Sequence, residues 1–287
     1  MSNSMPNRIS QKVGLEVGST RPWRDAGVDD LGEIQGVCFD IDDTLSTQGK
    51  LTSEAFSALW ELKEAGFAVV PVTGRPAGWC DHIARFWPVD AVVGENGAFT
   101  FFMDQGARKR LDTPCGLLPE EMKQNLATLR EKVRREFPKI QWASDQSYRE
   151  YDLAMDMCED VPAWDPKDVQ RLLDFCHAEG AHAKLSSIHV NAWWGDYDKG
   201  KGFRHWLEQG APGLKGKLPS LGQWLFVGDS PNDEPMYQSF KYSVGVANLK
   251  KYVEKLTYPP TWITSEESGK GFGQVVRKLL LSRVRRK

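Results

Sequence analysis

Residues Gly36–Thr44 read GVCFDIDDT. Ile34 and the run Val37 to Phe39 pass without a break into Asp40, Asp42 and Asp43. A continuous apolar run is the pattern of a parallel strand buried on both faces. In an open α/β sheet the ligand crevice lies just outside the carboxyl ends of such strands. The sequence therefore puts carboxylates where a ligand or metal would sit. Along an extended chain Asp40 and Asp42 project to the same side, with Ile41 turned away. Converging carboxylates repel unless a proton or a cation comes between them, and hard oxygen donors of this kind favour Mg2+. The plainer alternative is an acidic turn after a strand, because Asp is a common turn residue.

Downstream the same arrangement recurs. Thr52 or Ser53 caps a helix whose Ala55, Phe56, Leu59 and Leu62 fall at helical spacing, and Gly66 closes it. Phe67–Val72 is a second apolar strand that runs into Thr73-Gly74-Arg75-Pro76. A right-handed crossover brings Thr73 beside Asp40. There its hydroxyl and the exposed amide at Gly74 suit a phosphate oxygen, though a plain strand-to-helix cap explains Thr73 alone as well. A helix with Trp79, Ile83 and Phe86, a short strand at Asp90–Val93 and a turn at Gly94–Gly97 follow. Much later, the apolar strand Trp224–Val227 delivers a second acid cluster, Gly228-Asp229-Ser230-Pro231-Asn232-Asp233. A short helix, a last core strand at Tyr242–Val246 and a C-terminal helix with Val275, Val276, Leu279 and Leu280 complete the chain.

Between these halves the pattern changes. Ala98–Met103 and Arg108–Leu111 read as a hairpin, and Glu120–Phe137 as an amphipathic helix. Tyr151, Leu153, Met155 and Met157 alternate with polar residues that include Asp152 and Asp156, which predicts a strand with one face in solvent. A helix opens at Asp165-Pro166, and Ser186–Trp194 is extended again. This reads as a small α+β domain over 98–192, inserted through a sheet edge into a doubly wound, Rossmann-like α/β core formed by 34–97 and 193–287. Residues 1–33 read as a loosely docked N-terminal extension, with Trp23 as the residue to pin it.

Asp40/Asp42, Thr73, Lys199 and Asp229/Asp233 thus stand at four element ends, in that order. The set resembles the haloacid dehalogenase superfamily of phosphotransferases. FDIDDT is similar to its first motif, VTGR to its second, the Lys199-Gly200 step to its third and GDSPND to its fourth. The insertion, entered through Val93–Ala98, resembles the type IIB cap of Cof-like and sugar-phosphate phosphatases. The resemblance implies Asp40 as nucleophile and Asp42 as general acid and base. It implies Mg2+ held by Asp40, the backbone carbonyl of Asp42, Asp229 and Asp233, and phosphate bound by Thr73, Gly74, Lys199 and Asn232. Lys199 fits the third motif better than Lys201, and Asp43 reads as turn chemistry. An acid at position 42 favours phosphomonoester hydrolysis over dehalogenation. The alternatives are a sugar phosphomutase of the same fold and a silent phosphate-binding regulatory protein.

Specificity falls to the cap and its entrance. Asn96, His189, Asn191 and Trp193 are candidates to meet a sugar or a second acid group, with Trp79 and Trp194 as further ring-stacking candidates. Burial explains the tryptophans equally well. The chain's 37 Lys and Arg against 39 Asp and Glu give a net charge of −2, with no pull toward nucleic acid or an anionic membrane. The five cysteines are odd in number and form no CxxC pair, so neither a disulfide framework nor a zinc site is expected. No apolar run reaches membrane-spanning length, and the first residues lack the apolar core of a signal peptide. The expectation is a cytoplasmic monomer or homodimer acting on a small phosphorylated substrate.

Overall fold

All residues of the apolar runs at Gly36–Phe39, Ala68–Pro71, Trp224–Gly228 and Tyr242–Gly245 are buried, because helices cover both faces of the sheet they form. The computed structural model describes residues 20–284. In chain order its strands are β1 (Arg21–Pro22), β2 (Gly36–Phe39), β3 (Ala68–Pro71), β4 (Ala91–Gly94), β5 (Phe99–Asp104), β6 (Ala107–Asp112), β7 (Asp152–Asp156), β8 (His182–Leu185), β9 (His189–Trp193), β10 (Trp224–Gly228), β11 (Tyr242–Gly245) and β12 (Trp262–Ile263). The helices are α1 (Val28–Leu31), α2 (Ser53–Glu64), α3 (Ala77–Phe86), α4 (Pro119–Glu136), α5 (Pro166–Ala178), α6 (Lys199–Glu208), α7 (Glu234–Ser239) and α8 (Ser268–Val284).

Six parallel strands form the central sheet in the order β3-β2-β10-β11-β12-β1. The period of two along each strand sorts the core into two layers. Val37, Phe39, Val69, Leu225 and Val227 meet Leu59 and Leu62 of α2 and Phe272 and Val276 of α8. Cys38, Val70 and Phe226 meet Phe203 and Trp206 of α6 and Met236 of α7. The chain leaves β2 toward β3 on one side, while β10, β11 and β12 build outward on the other. The β2/β10 boundary is therefore the topological switch point, where a crevice opens at the carboxyl ends.

Three expectations need correction. Residues 20–33 are part of the core, not a loose extension: β1 pairs with β12, Leu31 is fully buried, and the Trp23 indole N–H donates to the Gln274 carbonyl oxygen at 3.2 Å. The remainder of that segment, 1–19, lies outside the described residues. The hairpin β5–β6 does not open the insertion: it extends β4, and β4 is bridged to the core strand through Val72 and Val93. A separate apolar cluster, with Leu129, Val133, Leu153, Leu172 and Val190, forms only from α4 onward. We place the start of the cap after this hairpin, near Thr113. Finally, β7 has no solvent face, since all five of its residues are buried.

The cap sheet runs β7-β9-β8 and is antiparallel. Strand β8 gave no sequence signal because HAKL combines an exposed His and Lys with little β propensity. No helix among the described residues is long and apolar enough to cross a membrane.

Candidate active site

Strands β2 and β10 run side by side with Phe39 opposite Val227, and Asp40 N donates to the Val227 carbonyl oxygen at 2.9 Å. Asp40 and Asp229 therefore leave adjacent strands at nearly the same level. The turn after Asp229 folds back on itself: Asp233 Oδ2 accepts from the backbone N–H of Asp229 at 2.9 Å and of Ser230 at 3.3 Å. This returns Asp233 to the strand end. Asp40, Asp229 and Asp233 are all buried and each offers a carboxylate oxygen within 4.8 Å of the others. Thr44 Oγ1 donates to Asp229 Oδ1 at 3.1 Å.

Lys199 enters this cluster from the first turn of α6. Its Nζ lies 2.7 Å from Asp40 Oδ1 and 2.7 Å from Asp233 Oδ1. A cation in a first helical turn opposes the helix dipole, so helix stability does not account for its position, whereas two buried carboxylates do. The helix start is held close by Gly97, whose φ is 108° and whose missing Cβ would fall 2.1 Å from the Asp198 carbonyl oxygen. Lys201, the competing lysine, is partly exposed and pairs with Asp196 instead. Burial would lower the Lys199 pKa, but Asp233 and Asp40 outweigh it and hold the ammonium protonated. Burial pushes Asp40 up to about 7, with Lys199 pulling it down and Asp233 and Asp42 pushing it up. Asp229 is raised well above the carboxylate range by burial, then by Asp40 and Asp233. Three buried carboxyl groups around one ammonium cannot all ionise without a further cation. A hard divalent cation suits that donor set.

Asp42 stands apart from this cluster. Arg75 Nε donates to its Oδ2 at 2.8 Å and Arg75 Nη2 to its Oδ1 at 2.7 Å. The strand ends at Phe39 and Asp43 takes a φ of 55°, so strand alternation does not carry as far as Asp42. As a metal ligand Asp42 has only its backbone to offer here. Thr73 is fully buried, with its Oγ1 accepting from Arg75 N at 3.0 Å, and the Gly74 carbonyl accepts from Arg149 Nη1 at 2.8 Å. Asn232 Nδ2 donates to Asn96 Oδ1 at 3.3 Å, while the buried Asn96 Nδ2 has no partner among the described residues.

The cap closes over these groups. His189 Nε2 lies 2.9 Å from Glu159 Oε2, and Asn191 Nδ2 donates to Asp152 Oδ2 at 2.9 Å. Asp40, Asp42, Arg75, His189, Asn191 and Asn232 are among the residues that face a common cavity of about 10 Å³, room for roughly one water. Trp193 does not line it. Its ring stacks on Tyr197 and His182, and its N–H donates to the Tyr197 carbonyl. Trp194 packs on the cap core. Trp79 is half-exposed, with the Arg75 guanidinium 4.3 Å from its ring centre. A larger groove of about 600 Å³, along Trp60, Pro88, Met103 and Lys215, shares no residue with this site.

Several contacts at the joint gave little warning in sequence. Arg75 stood in the quoted VTGR, but only as part of the motif. Thr44 likewise stood in the quoted FDIDDT without a role of its own, and Asp145, Arg149 and Glu159 had no periodic or motif signal. Glu95, in the turn after β4, accepts from the backbone N–H of Ala77, Glu150 and Tyr151. Burial raises it to about 8, with Asp152 adding to the effect.

Residues 37–147 match the family of haloacid dehalogenase-like hydrolases. That stretch is less than half of the chain. Solved structures share its fold across most of its length. A HAD/COF-like hydrolase from Plasmodium vivax superposes with a TM-score of 0.65 at 18% identity, covering 91% of this chain and 100% of its own. A Thermoplasma acidophilum protein gives 0.64 at 18% identity, covering 86% and 99%. The sucrose-phosphatase of Synechocystis, solved with sucrose and phosphate, gives 0.59 at 14% identity, covering 86% and 98%. No curated protein sequence matches the chain.

Proposed function

We propose that this protein is a Mg2+-dependent phosphatase acting on a small phosphorylated metabolite, a sugar phosphate, through an aspartyl-phosphate. The carrying observation is the placement of Asp40 among Lys199, Asp229 and Asp233 at the switch point of the sheet, with Asp42 on the same cavity. A carboxylate oxygen of Asp40 attacks phosphorus, and the bond from phosphorus to the sugar oxygen breaks. Asp42 gives its proton to that oxygen, so the sugar leaves as an alcohol. Water then attacks the phosphorus of the aspartyl-phosphate while Asp42 takes one of its protons. The Asp40–phosphorus bond breaks and inorganic phosphate departs. Asp40, Asp229, Asp233 and the Asp42 carbonyl would hold Mg2+, which would supply charge neutralisation between nucleophile and phosphate.

Thr73, the Gly74 amide, Lys199 and Asn232 are assigned to the remaining phosphate oxygens. The closed cap fits a reaction that must exclude bulk water. Sugar phosphates are favoured because proteins of this fold include a sucrose-phosphatase and a trehalose-6-phosphate phosphatase related protein. The polar groups of His189 and Asn191 on the cap face are consistent with a hydroxylated leaving group.

The test is phosphate release from a panel of sugar phosphates and an aryl phosphate, with Mg2+ or with a chelator. Wild type should turn over with Mg2+, and Asp40→Asn should lose roughly a thousandfold or more, as removal of a nucleophile does in other hydrolases. Activity that survives in Asp40→Asn sinks the aspartyl-phosphate route. Isomer formation in place of phosphate release identifies a mutase.

A further inference from the structure

Arg75 leaves the end of β3 on the core, yet its guanidinium is gripped from both sides of the cavity. Nε and Nη2 hold Asp42. Nη2 also donates to Glu159 Oε1 at 2.6 Å, and Nη1 to Asp145 Oδ2 at 3.3 Å. Both of these acids belong to the cap. Asp145 is clasped in turn by Arg149, with Nε 2.9 Å from Asp145 Oδ1, and Arg149 reaches back across the joint to the Gly74 carbonyl. Glu159 is braced by His189 of β9. The Arg75 side chain is 5% exposed.

A guanidinium presents its donors in a rigid planar fork. Once Glu159 and Asp145 occupy two of its directions, the edge facing Asp42 is fixed. With the cap lifted those two acids withdraw, and Arg75 regains rotamer freedom about its contacts with Asp42 and Trp79. We propose that Glu159 and Asp145 are positioning residues: on cap closure they lock Arg75, and Arg75 fixes where the Asp42 carboxyl group stands, so that the proton it carries from the water of the preceding turnover reaches the leaving oxygen. Cap closure and assembly of the acid/base group are then one event. The inference rests on the reading of Asp42 given above and names what places it.

The experiment compares kcat/KM for a simple alkyl phosphate, whose leaving oxygen needs a proton, with that for p-nitrophenyl phosphate, whose leaving group does not. Asp42→Asn is the reference, and Glu136→Gln, which removes an exposed cap ion pair with Arg171, is the control. Asp42→Asn should cost the alkyl substrate at least about a hundredfold, the low end for general acid catalysis, and the aryl substrate far less. Glu159→Gln and Arg75→Lys should reproduce that split in smaller form, about tenfold on the alkyl substrate and under about threefold on the aryl one. A purely structural role lowers both substrates together. Equal losses, or none, in Glu159→Gln and Arg75→Lys beside a clear split in Asp42→Asn overturn the proposal and leave the phosphatase reading standing. No split in Asp42→Asn overturns the acid/base reading itself. Thermal melting checks folding; should Glu159→Gln fail to fold, Arg75→Lys and Asp145→Asn carry the same comparison.

Discussion

The two walls of the cavity are both charged, and they are charged differently. On the core wall Asp40, Asp229 and Asp233 surround a single ammonium, Lys199. On the cap wall Asp145 and Asp152 pair with Arg149, and Asp145 and Glu159 with Arg75 of the core. One wall gathers buried acids that cannot all ionise together, a state that calls for a cation. The other is laced by arginine ion pairs and spends its charges on contacts across the joint. The proposed chemistry therefore sits on the core wall, and the proposed part of the cap is access and alignment.

The sharpest way to break this contrast is at the lysines. Lys199→Ala leaves Asp40 and Asp233 facing each other without their counter-charge. Removing one partner of a buried ion pair costs about 3–5 kcal/mol. Lys201→Ala removes an exposed pair with Asp196 and should stay within about 0.5 kcal/mol of wild type. Denaturant unfolding in the absence of metal measures both, and phosphate release should follow the same ranking. If Lys201→Ala proves the more damaging, the core wall has been misjudged.

The same contrast explains what could be read in advance. The core wall is encoded in short contiguous runs at the ends of continuous apolar strands, so Asp40, Asp229, Asp233 and the four strands β3, β2, β10 and β11 were legible, whereas β1 and β12, two residues each, have no apolar run to announce them. Lys199 needed its place in the motif order, because nothing local distinguishes it from Lys201. Asp42 was placed by extrapolating strand alternation beyond Phe39, where the backbone already turns. The cap wall is assembled from turns far apart in sequence. Asp145, Arg149 and Glu159 obey no period, and Asp152 and Asp156 imitate a solvent face while being buried by their own hydrogen bonds. Asp156, for example, accepts from the backbone N–H of Cys158, Glu159 and Asp160. Trp193 fell to packing because it ends β9 at the core–cap joint, among Ile41, Phe99 and Tyr197.

Asn191 offers a test of intermediate size. Its amide is buried and bonded to Asp152, itself buried. Asn191→Ala strips a donor from a buried carboxylate, which costs about 1–3 kcal/mol. Thermal unfolding should register that loss as reduced cap stability. A large rise in KM with stability unchanged means instead that Asn191 serves the substrate directly, and that the cap wall is less self-contained than its hydrogen bonds indicate.

The effect at Glu95, where the two walls meet, is read as a pH dependence. Its carboxyl group takes the Ala77 N–H from the core and the Glu150 and Tyr151 N–H groups from the cap. Burial, then Asp152, raises its pKa from the ordinary 4.5 to about 8. Between those values the folded protein keeps a proton that the unfolded chain releases. Stability from this group is therefore full below the unfolded value and is lost as pH rises through about 8. The slope cannot exceed about 1.4 kcal/mol per pH unit, the limit for one proton. Glu95→Gln removes the titration, so the stability of wild type relative to the variant should fall from about pH 5 to about pH 8 and level off above that. A gap that stays constant over that range means that the three N–H donors keep Glu95 ionised throughout. The joint would then be held by a carboxylate on the core side, and its charge would have to be counted with the core wall's.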